Sequence, residues 1–218
     1  MDLDYKFSLI RLLVVMEKMI RTKIDQIIKN DVNLIPPKDE EIEELLKESL
    51  SRLFVFHCKD SLQFISTIHS LPYLLRENVD IKIVIIDSIS AFFWIDKVDT
   101  SDQNGQAFYQ RQTVYALRAM MQSFKFAVFV TKQALFSSNN STSQTLTSPT
   151  HLPQKEEVSQ ISKSLSHKEY LCPTWSNFIK HRFIVSKFEG NKQRCKYIGR
   201  CLNSKGKIYF FSILEGIC

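Results

Sequence analysis

An acidic residue directly follows the most apolar short run in the chain. Residues 81–86 read IKIVII, and Asp87 comes next. In open parallel α/β sheets, ligands bind at the carboxyl ends of the strands, where a carboxylate can hold magnesium directly or through water. An Asp at a strand end is also a common cap of the following turn. Asp87 therefore predicts either a magnesium-binding acid or a turn cap.

The sequence contains no loop of the kind that usually cradles nucleotide phosphates. Such a loop reads G-x-x-x-x-G-K-S/T, because glycines let backbone N–H groups approach the phosphates and lysine offsets their charge. The chain has five glycines, and none is followed by Lys-Ser or Lys-Thr. We therefore expect that this chain alone neither binds ATP tightly nor hydrolyses it. The five cysteines include no C-x-x-C pair, which predicts neither a zinc site nor a disulfide framework.

The net charge of +6 lies entirely in the last fifty residues. Residues 169–218 hold nine Lys/Arg and three Asp/Glu, whereas residues 1–168 hold 20 of each. A basic end on a neutral body is typical of a polyanion-facing side, and Lys180, Arg182 and Lys187 are the DNA-binding candidates there. The alternative is a solvated sheet edge that lysines protect from pairing.

Apolar spacing predicts the elements that position these residues. Helical periodicity covers residues 7–29, with a broad buried face, and residues 104–123. A second helix follows Pro37, and a third starts after its cap Asp60 and is kinked or ended by Pro72. Strands are predicted at 53–58, 81–86 and 125–131. This alternation predicts an α/β fold with a mostly parallel sheet flanked by helices, its strands covered on both faces.

The remaining third of the chain changes character. Twelve of the fourteen residues in 137–150 are Ser, Thr, Asn or Gln, and we expect a mobile polar loop over 136–168. Beyond it, PTWSNFI predicts a short helix, and KHRFIVSK, RCKYIGRCL and KIYFFSIL predict three strands. The turn NSKG at 203–206 predicts a C-terminal antiparallel hairpin. The chain has no apolar run long enough for a membrane span, so we expect no membrane partner.

Four stretches, occurring in one order, resemble the RecA-type recombinase paralogues of eukaryotes: DLDYKFSLIRLL, IVIIDSISAFFWID, AVFVTKQ and CPTWSNFIKHRFIVSK. The resemblance runs through nearly the whole chain and is weakest in residues 30–50 and 136–168. It implies a RecA-like P-loop NTPase core, of which residues 1–218 would form a single incomplete domain. The first strand, phosphate-binding loop and first helix of that core would be absent.

The resemblance also implies roles for individual residues. Asp87 is similar to the Walker B acid and would hold magnesium, beside Ser88, only if nucleotide is bound. Gln133 lies where the family senses the nucleotide state. Asp4 lies where active members keep a Glu that orients the attacking water; because Asp is one methylene shorter, catalysis is in doubt. Residues 96–104 and 134–168 are similar to the DNA-facing loops, although neither carries the clustered cations of a strong DNA grip.

Three functions follow as expectations. The first is a non-catalytic nuclear subunit of a recombinase-paralogue complex that supports homologous-recombination repair and replication forks. Its partners would be a second paralogue and single-stranded or branched DNA, and this chain would need no cofactor, whereas the full-length family uses Mg-ATP. The second is a DNA-stimulated ATPase, and the third is an unrelated α/β domain with an ordinary strand-end Asp. Of the adjacent aromatic residues 92–94, some should pack in the core while one faces a partner or loop.

Overall fold

A computed structural model describes residues 1–30, 36–99, 103–136, 167–188, 196–201 and 208–212. Its helices are α1 (Leu9–Asn30), α2 (Asp39–Ser51), α3 (Ser61–Glu77), α4 (Phe93–Asp99), α5 (Gln103–Ser123) and α6 (Pro173–Phe178). Its strands are β1 (Ile83–Ile86), β2 (Ala127–Val130), β3 (Leu135–Phe136), β4 (His167–Lys168), β5 (Phe183–Phe188), β6 (Lys196–Cys201) and β7 (Ile208–Ser212). Most of the segment expected to be a mobile loop lies outside the described residues. No helix in the described ranges has the length and apolar content to cross a bilayer.

A small parallel sheet forms the centre of the fold. β1 pairs in parallel with β2, with Ile83 opposite Ala127 and Ile86 opposite Val130. Asp2 adds single parallel bridges to His57 on one side and Asp87 on the other. The chain segments therefore lie side by side in the order His57, Asp2, β1, β2. The strand predicted at 53–58 is reduced to this one bridge at His57.

Antiparallel pairing is more extensive than the sequence predicted. β6 lies between β5 and β7 and pairs antiparallel with both, and β3 pairs antiparallel with β4. The α/β class holds and a small parallel sheet forms from β1 and β2, while the other described strands pair antiparallel. The reason is the chain length between the last strands: the connections at 189–195 and 202–207 are too short for the crossover that a parallel pair needs.

The core lies between one face of the parallel sheet and helices α3 and α5. Ile86 of β1 is fully buried, as are Ile68 of α3 and Leu117 of α5, and Trp175 of α6 joins the same cluster. The buried positions of α3 recur every three or four residues, which is the spacing of one helical face. Packing of α3 and α5 on this one face holds β1 and β2 in place, and with them the carboxyl ends of the two strands.

The opposite face of the parallel sheet is open. Ile83, Ile85 and Phe129 have 55%, 54% and 58% of their surface exposed, and we call these three residues the open sheet face. The expectation that the strands are covered on both faces is wrong for the described residues, because α3 and α5 pack only where β1 directs Val84 and Ile86.

The first helix forms where it was predicted, but its packing differs. No residue of α1 is buried, and Ile10 and Met19 are 77% and 63% exposed. The expectation that α1 buries a broad face is therefore wrong, because α1 packs against α2 and not against the core cluster.

Helix α3 begins as predicted and ends later than its proline suggested. Asp60 caps it, accepting a hydrogen bond from the backbone N–H of Gln63 at 2.7 Å. Of the two alternatives, a kink or an end at Pro72, the end does not occur, because Pro72 lies inside the helix, which continues to Glu77. Leu71 and Leu75 are both buried beside the proline, and this packing outweighs the local preference to stop.

Candidate functional site

Three chain segments meet at the carboxyl edge of the parallel sheet. The backbone N–H of Asp87 donates to Met1 O at 2.9 Å, and that of Leu3 donates to Asp87 O at 2.6 Å. On the other side, the N–H of Thr131 donates to Ile86 O, and that of Ile89 donates to Thr131 O, both at 3.0 Å. The ends of β1 and β2 and the residues around Asp2 are therefore held in register at one edge.

Asp87 leaves the sheet at this edge with its carboxylate exposed. The hydroxyl of Thr131 donates a hydrogen bond to Asp87 Oδ1, which orients the carboxylate across the ends of the two strands. The Asp87–Ser88 peptide bond is cis. An oriented, solvent-accessible carboxylate beside a hydroxyl has the oxygen ligands that magnesium prefers, directly or through water.

Ser88 and Gln133 join the same edge through Ser90. Ser88 is buried, with its Oγ 3.1 Å from Ser90 Oγ, and Ser90 Oγ accepts a hydrogen bond from the backbone N–H of Gln133 at 3.0 Å. The hydroxyl of Tyr170 donates to Gln133 O at 2.7 Å. Asp87, Ser88 and Gln133 are thus brought together, while their nucleotide-side roles stay predictions.

The acids of the first four residues differ in their surroundings. The Asp4 carboxylate lies 3.9 Å from Lys6 Nζ. Asp2 is buried, accepts from the N–H groups of Lys6 and Phe7 at 3.0 Å each, and lies 3.2 Å from His57 Nε2. Burial raises the pKa of Asp2, but the hydrogen bonds from Phe7 and Lys6 and the contact with His57 outweigh it and hold the pKa below its ordinary value. The sequence did not single out Asp2, because nothing in the stretch DLD distinguishes Asp2 from Asp4.

A second group that the sequence did not reveal surrounds Glu169. Lys132 Nζ donates to Glu169 Oε1, and Arg182 Nη1 lies 3.9 Å from Oε2. The backbone N–H groups of Tyr170 and Leu171 also point to Oε1, at 3.1 and 3.2 Å. Burial raises the pKa of Glu169, but the bonds from Lys132 and the two N–H groups outweigh it, so the pKa lies below its ordinary value. Lys132 and Glu169 are 37 residues apart, so no local spacing could have indicated this contact.

The three adjacent aromatics divide as expected. Phe92 and Phe93 are buried, whereas Trp94 is 52% exposed. Tyr170 packs edge-on against Phe93, with ring centroids 4.6 Å apart, and lies nearly parallel to Trp94, at 6.5 Å and 15°. Lys97 Nζ lies 5.3 Å from the Trp94 ring centroid. An exposed aromatic surface therefore adjoins the Glu169 group through Tyr170.

Lys180 and Arg182, two of the DNA-binding candidates, lie just before β5, and the third, Lys187, lies near its end. Lys180 is exposed, and Arg182 is turned toward Glu169. Lys187 lies in β5 opposite Tyr197 of β6, and its side chain is outside the described residues. Their contribution to DNA binding stays a prediction.

Comparison with known proteins identifies relatives of the chain. The mouse (Mus musculus) DNA repair protein XRCC2 is 27% identical over 217 residues, which cover 98% of this chain and 69% of the mouse protein. The Arabidopsis thaliana DNA repair protein XRCC2 homolog is 22% identical over 160 residues, covering 66% of this chain and 42% of the plant protein.

These two similarities support a RecA-type paralogue close to XRCC2. The resemblance to recombinase paralogues that the four sequence stretches indicated is thereby confirmed. No protein-family model matches the chain.

The residues at the carboxyl edge of the parallel sheet fit Mg-ATP only in part. Asp87 and Thr131 would supply oxygen ligands on the magnesium side, but the 218-residue sequence has no glycine-lysine loop for the phosphates. Within the described ranges, no group of three or more His, Cys, Asp or Glu could hold a metal ion. A cavity beside Ser61 and Asp96 measures about 20 Å³, enough for one water molecule. We therefore derive no hydrolysis step from these residues.

Proposed function

We propose that the chain is a non-catalytic subunit of a recombinase-paralogue complex that supports homologous-recombination repair of DNA and maintains replication forks. Its similarity to XRCC2 over 98% of its length supports a role in DNA repair by homologous recombination. Its place of action would be the nucleus, where such repair occurs. The chain itself would use no cofactor.

The observation that carries this proposal is the open sheet face. Three apolar side chains of a central sheet, Ile83, Ile85 and Phe129, are each more than half exposed, and exposed apolar surface of this kind usually marks an interface. The exposed apolar residues of α1, among them Ile10 and Met19, offer further surface. The occupant we propose is a second recombinase paralogue, and the family resemblance points to the paralogue lettered D.

Within such a complex, the basic C-terminal region would contact DNA. Lys180, Arg182 and Lys187 lie in the fifty residues that hold the whole net charge, and single-stranded or branched DNA is the proposed ligand. Phosphate contacts of this kind weaken steeply as salt rises, whereas apolar association does not.

Co-expression with the second paralogue, followed by size-exclusion chromatography at low and high salt, tests the proposal. We expect co-elution at both salt concentrations and DNA binding only at low salt. Phe129→Ser should weaken co-elution, whereas Tyr73→Ser, which removes an aromatic 70% exposed on α3, should not. A soluble monomer that melts cooperatively, does not bind the paralogue and still binds DNA would refute the proposed subunit role.

The second candidate function is a DNA-stimulated ATPase. It is favoured by one observation, the exposed Asp87 carboxylate oriented by Thr131 at the ligand-binding edge of the sheet. Isothermal titration with Mg-ATP separates the two candidates. Micromolar affinity that Asp87→Asn abolishes would favour the ATPase, and an absence of binding would favour the non-catalytic subunit.

A further inference from the structure

The carboxylate of Glu169 occupies a cradle of four hydrogen-bond donors. Two are cationic side chains, Lys132, which donates to Oε1, and Arg182, whose Nη1 lies 3.9 Å from Oε2. The other two are the backbone N–H groups of Tyr170 and Leu171, at 3.1 and 3.2 Å from Oε1. We call these four donors the anion cradle. Lysine, arginine and successive backbone N–H groups are the donors that bind phosphate in proteins.

The charged side chains in and around the anion cradle are partly exposed to solvent. The side chains of Lys132, Glu169 and Arg182 are 22%, 34% and 37% exposed. The Arg182 contact is long for an ion pair, and Arg182 Nε is buried without a partner among the described residues. The carboxylate therefore leaves part of the donor capacity of the cradle unused. A phosphate group, with more oxygens than a carboxylate, would engage more of it.

We propose that the anion cradle is a binding site for a phosphodiester of single-stranded DNA, and that Glu169 occupies it as an internal competitor in the unbound protein. Binding exchanges one anion for another: the Glu169 side chain leaves, and the phosphate accepts from Lys132, Arg182 and the two N–H groups. The inference rests on the DNA-binding part of the proposed function.

The aromatic surface beside the cradle favours a nucleic acid over free phosphate. Tyr170, whose N–H belongs to the cradle, packs nearly parallel to Trp94, which is 52% exposed. Lys132 Nζ lies 5.1 Å from the Tyr170 ring centroid, so cation and aromatics form one continuous surface. Proteins that bind single strands combine cations along the backbone with aromatics on which bases stack. The cradle supplies the cations, and Trp94 supplies an aromatic ring on which a base can stack.

Glu169 is charged at neutral pH, as an internal competitor must be. Burial acts to raise the pKa of Glu169, and the bonds from Lys132, Leu171 and Tyr170 hold it below the ordinary value. Its negative charge repels an approaching phosphate while it holds the two cations. Removal of this charge should therefore raise the affinity for DNA.

Fluorescence anisotropy with a fluorescein-labelled oligothymidylate, at low salt and on the full chain with its co-expressed paralogue, tests the inference. Glu169→Gln should bind about three- to tenfold more tightly than the unchanged chain. Glu43→Gln, which makes the same charge change on α2, should leave the affinity about unchanged. Lys132→Ala added to Glu169→Gln should remove the gain. Glu169→Asp, which withdraws the carboxylate by one methylene, should give a smaller gain and serves if Glu169→Gln does not fold.

Trp94→Leu separates a DNA strand from free phosphate. In the Glu169→Gln background it should weaken oligothymidylate binding severalfold, with no effect on competition by inorganic phosphate. If Trp94→Leu has no effect, the cradle takes phosphate alone and the inference is overturned. Equal gains in Glu169→Gln and Glu43→Gln would reject the competitor role while leaving the proposed DNA binding intact. If none of the variants binds the oligothymidylate, DNA binding by this chain fails altogether.

Discussion

Two neighbouring isoleucines of β1 provide a matched test of the sheet's two faces. Ile86 is fully buried in the core, whereas Ile85, on the open sheet face, is 54% exposed. Replacing a fully buried isoleucine with alanine costs about 2–5 kcal/mol, because the lost transfer energy is joined by a cavity. We expect this cost for Ile86→Ala. Full burial of such a side chain is worth about 1.5–3 kcal/mol, so Ile85→Ala, with half of its surface already exposed, should cost about 1 kcal/mol.

Urea unfolding followed by circular dichroism measures both variants, and co-elution with the second paralogue gives the second readout. Ile86→Ala should lower the unfolding midpoint strongly, and any loss of co-elution should follow from unfolding. Ile85→Ala should keep most of the stability but weaken co-elution. Equal destabilisation by the two variants would show that Ile85 is covered by the chain itself, and the reasoning from the open sheet face would fail.

Three further predictions concern acidic side chains. Asp60→Ala should destabilise the chain by about 1 kcal/mol in urea unfolding, because the N–H of Gln63 loses its cap. Asp2 has a pKa below its ordinary value in the folded chain, so its stabilising effect is present above about pH 4 and is lost as the pH falls through the folded pKa; Asp2→Asn should therefore make the urea midpoint less dependent on pH in that acidic range. Isothermal titration of the chain with Mg-ATP should give no binding heat, with or without Asp87→Asn.

Each of the three has a control and a contradicting result. Asp80→Ala, at an exposed position outside α3, should leave the urea midpoint unchanged, and an equal loss there would argue against the Asp60 cap. Asp4→Asn serves as the matched control for Asp2→Asn, and the urea midpoints of the two variants should depend differently on pH in the acidic range. Saturable heat with Mg-ATP would show that residues other than a glycine-lysine loop hold the phosphates.

Periodicity predicted the positions of most elements, strand-end chemistry singled out Asp87, and the family resemblance added Ser88 and Gln133. Asp87 and Gln133 each follow a predicted parallel strand, and the carboxyl ends of neighbouring parallel strands meet at one edge. This rule needs only the strand assignments, so the edge was predictable from the sequence. Asp60 was predictable for a similar reason, because a cap acts on a residue three positions away.

Contacts that join distant parts of the chain were not predictable. Glu169 meets Lys132 across 37 residues, and neither lies in a pattern that distinguishes it from other charged residues. Burial of the small group around Asp2 depends on bridges to His57 and Asp87, which come from separate parts of the chain. For α1, apolar spacing predicted the helix correctly. It could not show which element packs against the apolar face, because that depends on residues elsewhere in the chain.

The composition of β1 and β2 indicates that another protein surface covers the open sheet face. IVII and AVFV place no polar residue on either face, whereas a strand with one solvated face normally alternates apolar and polar residues. The three half-exposed side chains of that face leave roughly 1 kcal/mol each to be gained on burial, or about 3 kcal/mol together. A complex with nanomolar affinity needs about 12 kcal/mol, so the open sheet face alone cannot hold a partner tightly. Helix α1 offers further exposed apolar side chains, among them Ile10 at 77% and Met19 at 63%. We therefore predict that a stably bound partner contacts α1 as well as the open sheet face, and that substitutions on the two surfaces each weaken the same complex.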